Sequence, residues 1–233
     1  MDALVVGGML ATPFVDFALY ATSSFVVSPQ TFAMTRQVRA LREWHGNVVN
    51  YALMWYLLCY RLDWDAPRWS DAWMVPAYVL IVDGVFYGLH RACHRFWYYP
   101  IHQRHHLCQP IGAHCARHSH WLDATLENLS FFAPFFVLSF NAYYALACLL
   151  FNSAWASYIH TYPTRIVRGG WLVSPYLHWI HHQSSGASSC NYALYCTVWD
   201  RLLGTLCEDS RLVWMPPERR GAGVGESASC QAG

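Results

Sequence analysis

Three groups of histidines carry the chemistry available to this chain. His90-Arg91-Ala92-Cys93-His94 is an H-x-x-x-H, and His102-Gln103-Arg104-His105-His106 and His178-Trp179-Ile180-His181-His182 are both H-x-x-H-H. On a helix, residues three and four apart share a face with their β-carbons about 5–6 Å apart. Each group therefore aims two or three imidazoles at one point, as metal coordination requires. With 13 histidines in 233 residues, H-x-x-H-H should arise by chance roughly 0.04 times, so two copies mark a site rather than scattered core histidines. The imidazoles exceed the four ligands of a tetrahedral zinc site and would be used fully by two metals. Outside the groups, His120 and His160 could add to the set, as could His114 and His118, an i,i+4 pair. For these a structural role weighs equally. His45 is remote from the groups.

Imidazole suits zinc, copper, iron and nickel alike, so the surroundings must choose among them. Apolar residues make up 55% of the chain, aromatics 17% and charged residues 12%; the basic residues are all Arg, and the net charge is +1. An average soluble domain carries about 25% charge, so this composition points to a membrane. It excludes intrinsic disorder and an electrostatic nucleic-acid binder. A many-nitrogen site beside lipid suggests work on unactivated C–H bonds, which side chains cannot oxidise. Dioxygen and a redox metal are then required, which points to iron. A zinc-dependent membrane hydrolase is the rival, but it calls for an acid among the ligands, as in H-E-x-x-H. The positions between these histidines hold Arg, Ala, Cys, Gln, Trp and Ile. A metal transporter or haem-binding protein would instead spread its histidines across the depth of the bilayer.

Positioning such a site falls to the apolar runs at residues 4–27, 48–60, 72–89 and 129–158. The loop holding Arg36, Arg39 and Arg42 is basic, the loop of Arg61, Asp63, Asp65, Arg68 and Asp71 is slightly acidic, and Arg91, Arg95, Arg104 and Arg117 follow the third run. The positive-inside bias places the first and third of these loops, and with them the histidines, in the cytosol. As one helix, run 129–158 would be about 45 Å long against a bilayer core of about 30 Å. A break at 139–141, where Ser139 and Asn141 interrupt it, makes a hairpin that returns the chain to the same side. The expected fold is all-α: an integral membrane helical bundle of about three spans plus a short hairpin, under a cytosolic histidine-rich helical cap. Residues 1–89 would hold the N-terminal spans, 83–208 the catalytic region with the hairpin, and 209–233 a disordered tail. None of the nine cysteines forms a C-x-x-C pair, which predicts buried reduced thiols rather than a disulfide framework.

Read in order, Asp83-x-x-x-Tyr87-x-x-His90-Arg91-x-x-His94, Ile101-His102-x-x-His105-His106, Ser174-Pro175-x-x-His178-x-x-His181-His182, Asn191-Tyr192 and Trp199-Asp200-Arg201-Leu202-x-Gly204-Thr205 resemble the fatty acid hydroxylase superfamily, which includes the sterol desaturases. The resemblance spans slightly over half the chain. It implies an integral membrane enzyme of the endoplasmic reticulum membrane in a eukaryote, or of the inner membrane in a bacterium, with its active site facing the cytosol. Two iron ions, which zinc could replace, would be held by histidines, and dioxygen would be used with electrons from a separate b-type cytochrome and its reductase. The implied metal ligands are His90, His94, His102, His105, His106, His120, His160, His178, His181 and His182. His120 enters through the family's His-Pro-x-Glu, which here reads His120-Trp121-Leu122-Asp123, with the Pro lost and the acid shortened. Asp83 would orient a box histidine from behind, whereas Asp200 would close a turn or pair with Arg201. The implied reaction is hydroxylation or desaturation of a lipid: a sphingoid base, a fatty acyl chain or a sterol. The third box and residues 199–205 look nearest to sphingoid-base hydroxylases. Asn191-Tyr192 and Thr197-x-Trp199-Asp200-Arg201 are similar to the sterol branch, with its desaturases and methyl oxidases. Trp97, Tyr98, Tyr99, Trp121, Trp155 and Trp179 would line a tunnel mouth or anchor the chain at the interface.

Overall fold

The computed structural model describes residues 48–95, 98–108, 111–184 and 189–208. The expected first span, the basic loop with Arg36, Arg39 and Arg42, His45, Trp97 and the tail lie outside them. Among the described residues the chain is mostly helical. Helix α1, Val48–Tyr60, coincides with the second apolar run. Its 13 residues reach about 20 Å, short of a bilayer core. Helix α2 is Met74–Arg95, and with the 3-10 turn before it, Trp69–Arg95 is the one helix among the described residues long and apolar enough to cross a membrane.

The burial pattern of α2 explains how one helix serves both packing and chemistry. Tyr78, Val82, Phe86, His90 and His94, each four residues apart, are all buried. This stripe is apolar at its start and imidazole at its end. The apolar part packs on α4, Trp121–Val137, where Tyr78 meets Phe135 at 5.6 Å between ring centroids and Phe135 meets Phe140 edge-on at 5.2 Å. Gly84 lets α2 approach closely, since a β-carbon there would sit 3.1 Å from the Trp199 ring.

Helix α3, Tyr99–His106, carries the second histidine box. The run 129–158 breaks at the expected place into two helices, α4, which starts ahead of the run at Trp121, and α5, Ala142–Ile159. Leu138 turns extended, and Phe140–Asn141 forms a two-residue strand, β2, parallel to β1 at Leu62–Asp63. Asn141 secures the turn twice: its side chain accepts from the Tyr143 N–H, capping α5, and donates to the Asp65 carbonyl. Pro134 lies inside α4, and its carbonyl still accepts from Leu138.

Helix α6, Pro175–Gln183, holds the third box. It begins as its sequence dictates, with Ser174 capping through the Leu177 N–H and Pro175 in the first turn. A short helix α7, Val198–Leu202, closes the described chain. One expectation is corrected. Cys108 and Cys115 are not separate thiols but a disulfide, because the 3-10 helix Ala113–Arg117 folds back on the end of α3. This brings the two Cα atoms to 5.6 Å, within reach of a bridge. Cys59, Cys93, Cys148, Cys190, Cys196 and Cys207 are free.

Candidate metal centre

Nine histidines from four elements converge at one end of the bundle. His90, His94, His102, His106 and His181 form one group, and His105, His160, His178 and His182 form a second; within each, the ligand atoms lie within 4.8 Å of one another. Every one of the nine is buried. The groups are adjacent, with His106 and His105 each 4.7 Å from His182 between ring centroids. Helical geometry explains the division. In each H-x-x-H-H the i,i+4 pair, His102/His106 or His178/His182, enters one group, and the remaining histidine, His105 or His181, reaches across to the other. The first box gives both its histidines to group one. His160, at the C-terminal cap of α5, completes group two.

The spacing of nitrogens is that of a ligand set. His178 Nε2 lies 2.9 Å from His160 Nε2 and 3.1 Å from His182 Nε2, and His160 Nε2 lies 3.1 Å from His105 Nε2. In group one, His102 and His106 bring their Nε2 atoms to 3.3 Å. Two imidazoles bound to a common ion at about 2.1 Å, at right-angle to tetrahedral geometry, place their nitrogens about 3.0–3.4 Å apart. His90 Nε2, His181 Nε2 and both ring nitrogens of His94 are buried with no hydrogen-bond partner, a costly state unless an ion pairs them. The residues present fit two metal ions.

A layer of acceptors behind the rings fixes their orientation. His90 Nδ1 donates to the Tyr192 carbonyl (3.0 Å), His105 Nδ1 to the His118 carbonyl (3.3 Å) and His181 Nδ1 to the Cys190 carbonyl (2.7 Å). His160 Nδ1 donates to the Ala156 carbonyl (2.6 Å), and His102 Nδ1 meets both carboxylate oxygens of Asp123 at 3.0 Å. A carbonyl only accepts, so each of these rings carries its proton on Nδ1 and turns a bare Nε2 inward. Burial, joined by the neighbouring imidazoles, holds His105, His106, His178, His181 and His182 well below the ordinary histidine range, and burial takes His160 down to about 4. Their lone pairs are therefore available at neutral pH.

Nine of the ten sequence-predicted ligands are thus brought together. The tenth, His120, lies outside both groups; its Nδ1 accepts from the Leu122 N–H, capping α4. His114 sits against Cys115, 3.7 Å from its sulfur, and His118 offers its carbonyl to His105. Asp83 touches no histidine in the way expected. Its carboxylate accepts the backbone N–H groups of Leu194 (3.1 Å), Tyr195 (2.7 Å) and Cys196 (3.2 Å). Asp200 closes a turn, as expected, by accepting from the N–H groups of Tyr192 and Ala193 and from the Thr205 hydroxyl. Asn191, at φ 58°, bonds Leu177 and Cys207. Together these three hold the segment whose carbonyls steady His90 and His181. The backbone acceptors at His118, Cys190 and Tyr192 carry no side-chain signature and are invisible in the sequence. Asp123 and Glu127 do leave one, an i,i+4 acid pair on an otherwise apolar helix.

A cavity lies beside His90, His105, His160 and His178, lined by residues of α2, α4 and α5. Phe86, Phe131, Ala156 and Ile159 make its walls largely apolar, and among the described residues none of the expected aromatics (Tyr98, Tyr99, Trp121, Trp155, Trp179) lines it. Trp155 instead donates to the Leu194 carbonyl.

A family model for fatty acid hydroxylases matches residues 75–205. The chain is 26% identical over 146 residues to a Delta(7)-sterol 5(6)-desaturase of Leptosphaeria maculans, covering 59% of this chain and 38% of that one. It is 26% identical over 137 residues to the lathosterol oxidase of Mus musculus (56% and 44%), and 29% identical over 143 residues to a Delta(7)-sterol 5(6)-desaturase of Candida dubliniensis (56% and 33%). The chain therefore spans well under half the length of these relatives. No solved structure matches it. Three histidine boxes in order, folded into two adjacent imidazole groups and matched across more than half the chain, make it a member of the fatty acid hydroxylase/sterol desaturase superfamily.

Proposed function

We propose that this chain is a membrane-embedded oxidoreductase that hydroxylates or desaturates a lipid, with sterols as the favoured substrate class, and that its two histidine groups hold two irons. The observation that carries the reading is the opening of an apolar cavity onto group two and His90. The relatives' names, sterol 5(6)-desaturase and lathosterol oxidase, support a sterol ring as what enters it. A membrane setting is supported by the length of Trp69–Arg95 and by the outward-facing Leu80, Val137, Leu146, Leu150 and Phe151. Arg91, Arg95, Arg104 and Arg117 belong to the histidine-bearing segments, which supports a cytosolic active site. The setting proposed is the endoplasmic reticulum membrane or, in a bacterium, the inner membrane.

Irons bound there would supply dioxygen-dependent oxidation of an unactivated C–H bond. Desaturation takes two hydrogens from adjacent carbons and joins them, with two protons and two electrons, to dioxygen as two waters. We assign the electrons to a b-type cytochrome and its reductase. The chain's own residues do the rest. The cavity walls exclude water and hold the substrate's reacting carbons beneath the histidines. The Nδ1 bonds keep each ring from rotating away, and Asp123 adds negative charge behind His102, which makes its inward nitrogen a better donor.

The test is conversion of lathosterol by protein in vesicles. A new 5(6) double bond beside the existing one gives a conjugated diene, seen by ultraviolet absorbance. Diene should appear only with dioxygen and a reductant and should track bound iron; turnover by a protein loaded with zinc alone would overturn the reading. Asp123→Asn should lower turnover about 10- to 100-fold, since the amide replaces a carboxylate that meets His102 with both oxygens. Unchanged turnover at full iron content would show that Asp123 does not act through His102.

A further inference from the structure

Part of the cavity wall is polar and carries no histidine. Ser153 and Asn152 on α5 and Asn128 on α4 line it, and all three are more than nine-tenths buried. At about 1.5 Å of rise per residue, Ser153 lies about 10 Å along α5 from His160, with Ala156 and Ile159 between them. The Ser153 hydroxyl is buried without a hydrogen-bond partner. Asn152 accepts from the Tyr195 hydroxyl at 2.7 Å through Oδ1, which leaves its amide N–H groups as the donating side. Polar side chains inside an apolar helix hairpin are costly unless something pairs with them. The two charged residues of the wall, Arg117 and Glu127, are of opposite sign, so the cavity offers no net attraction to a carboxylate or phosphate.

We propose that Ser153, Asn152 and Asn128 form a subsite for a neutral hydroxyl group of the lipid, and that this anchor sets which carbon lies beneath the histidines. The proposal rests on the reading of the cavity as a lipid chamber. It adds a polar recognition point that the oxidation chemistry itself does not need.

Binding tests it without turnover. Purified wild-type, Ser153→Ala and Asn128→Ala proteins in lipid nanodiscs are titrated with two matched pairs: lathosterol and its 3-deoxy analogue, and octadecanol and its methyl ether. The wild type should bind the hydroxylated member of at least one pair about three- to tenfold more tightly, the range of a net hydrogen bond. Which pair does so tells a sterol from a chain alcohol. Each variant should lose most of that preference while binding the partner that lacks the hydroxyl as the wild type does, which also reports an intact fold. No binding or no preference in either pair overturns the proposal, as does a preference that survives both variants or an equal loss of both members. A preserved preference in a protein that does not oxidise lathosterol would strike the oxidation reading alone.

Discussion

His182→Ala is expected to empty group two of metal and to lower turnover more than about 100-fold. The neighbouring His181→Ala should spare more metal while also lowering turnover. The two residues are adjacent in sequence, yet the helix sends their rings to different groups. Removing His182 leaves group two with three imidazoles, whereas removing His181 leaves group one with four. Loss of a partner that only orients a ligand typically costs 10- to 100-fold in metal affinity or activity, so loss of a ligand itself should cost more. Neither change should unfold α6. Alanine is the strongest helix former, and the Ser174 cap and Pro175 start are untouched. Iron per chain, measured on purified protein beside diene formation, separates the two variants. A His182→Ala protein with wild-type iron and wild-type turnover would dissolve the two-centre arrangement.

How much of this was legible in the sequence depends on whether the geometry is local. The boxes were legible because three- and four-residue spacing is a helix property that needs no tertiary information. The break in the hairpin was legible because Ser139 and Asn141 interrupt an apolar run, and Asn141 is the residue that caps α5. The sorting of each box between two groups was not, since it depends on how α2, α3 and α6 meet. His160 and His120 both stood alone in sequence; one closes group two from the end of α5 and the other caps α4. Only the packing distinguishes them. The Cys108–Cys115 pairing depends on a backbone reversal by a 3-10 helix that no cysteine spacing announces. An acid inside an apolar run is costly and so has a purpose, but the partners of Asp83 are not a box histidine; they lie 111 to 113 residues away, beyond any local pattern.

That distance makes Asp83 the most consequential residue that touches no histidine. Its carboxylate accepts from three successive N–H groups, those of Leu194, Tyr195 and Cys196. The same strand of chain offers the Tyr192 carbonyl to His90 and the Cys190 carbonyl to His181. Asp83→Ala would leave those N–H groups without an acceptor, and each buried donor left unpaired costs about 1–3 kcal/mol. For a chain of this size each kcal/mol moves the melting temperature by about 2–4 °C, so a fall of roughly 10 °C is expected. Asp83→Asn should recover part of it, because an amide oxygen in the place of Oδ1 still accepts from Leu194 and Tyr195, and only the Cys196 N–H then faces an N–H2 group. The readout is thermal melting of the detergent-solubilised protein, with iron content measured below the melt. Iron should fall along with stability, since group one loses the acceptors that steady His90 and His181. If Asp83→Ala melts within a degree or two of the wild type and keeps its iron, then the segment from Cys190 to Cys196 is held well enough by Asp200, Asn191 and its other hydrogen bonds, and the carboxylate in α2 serves some other end.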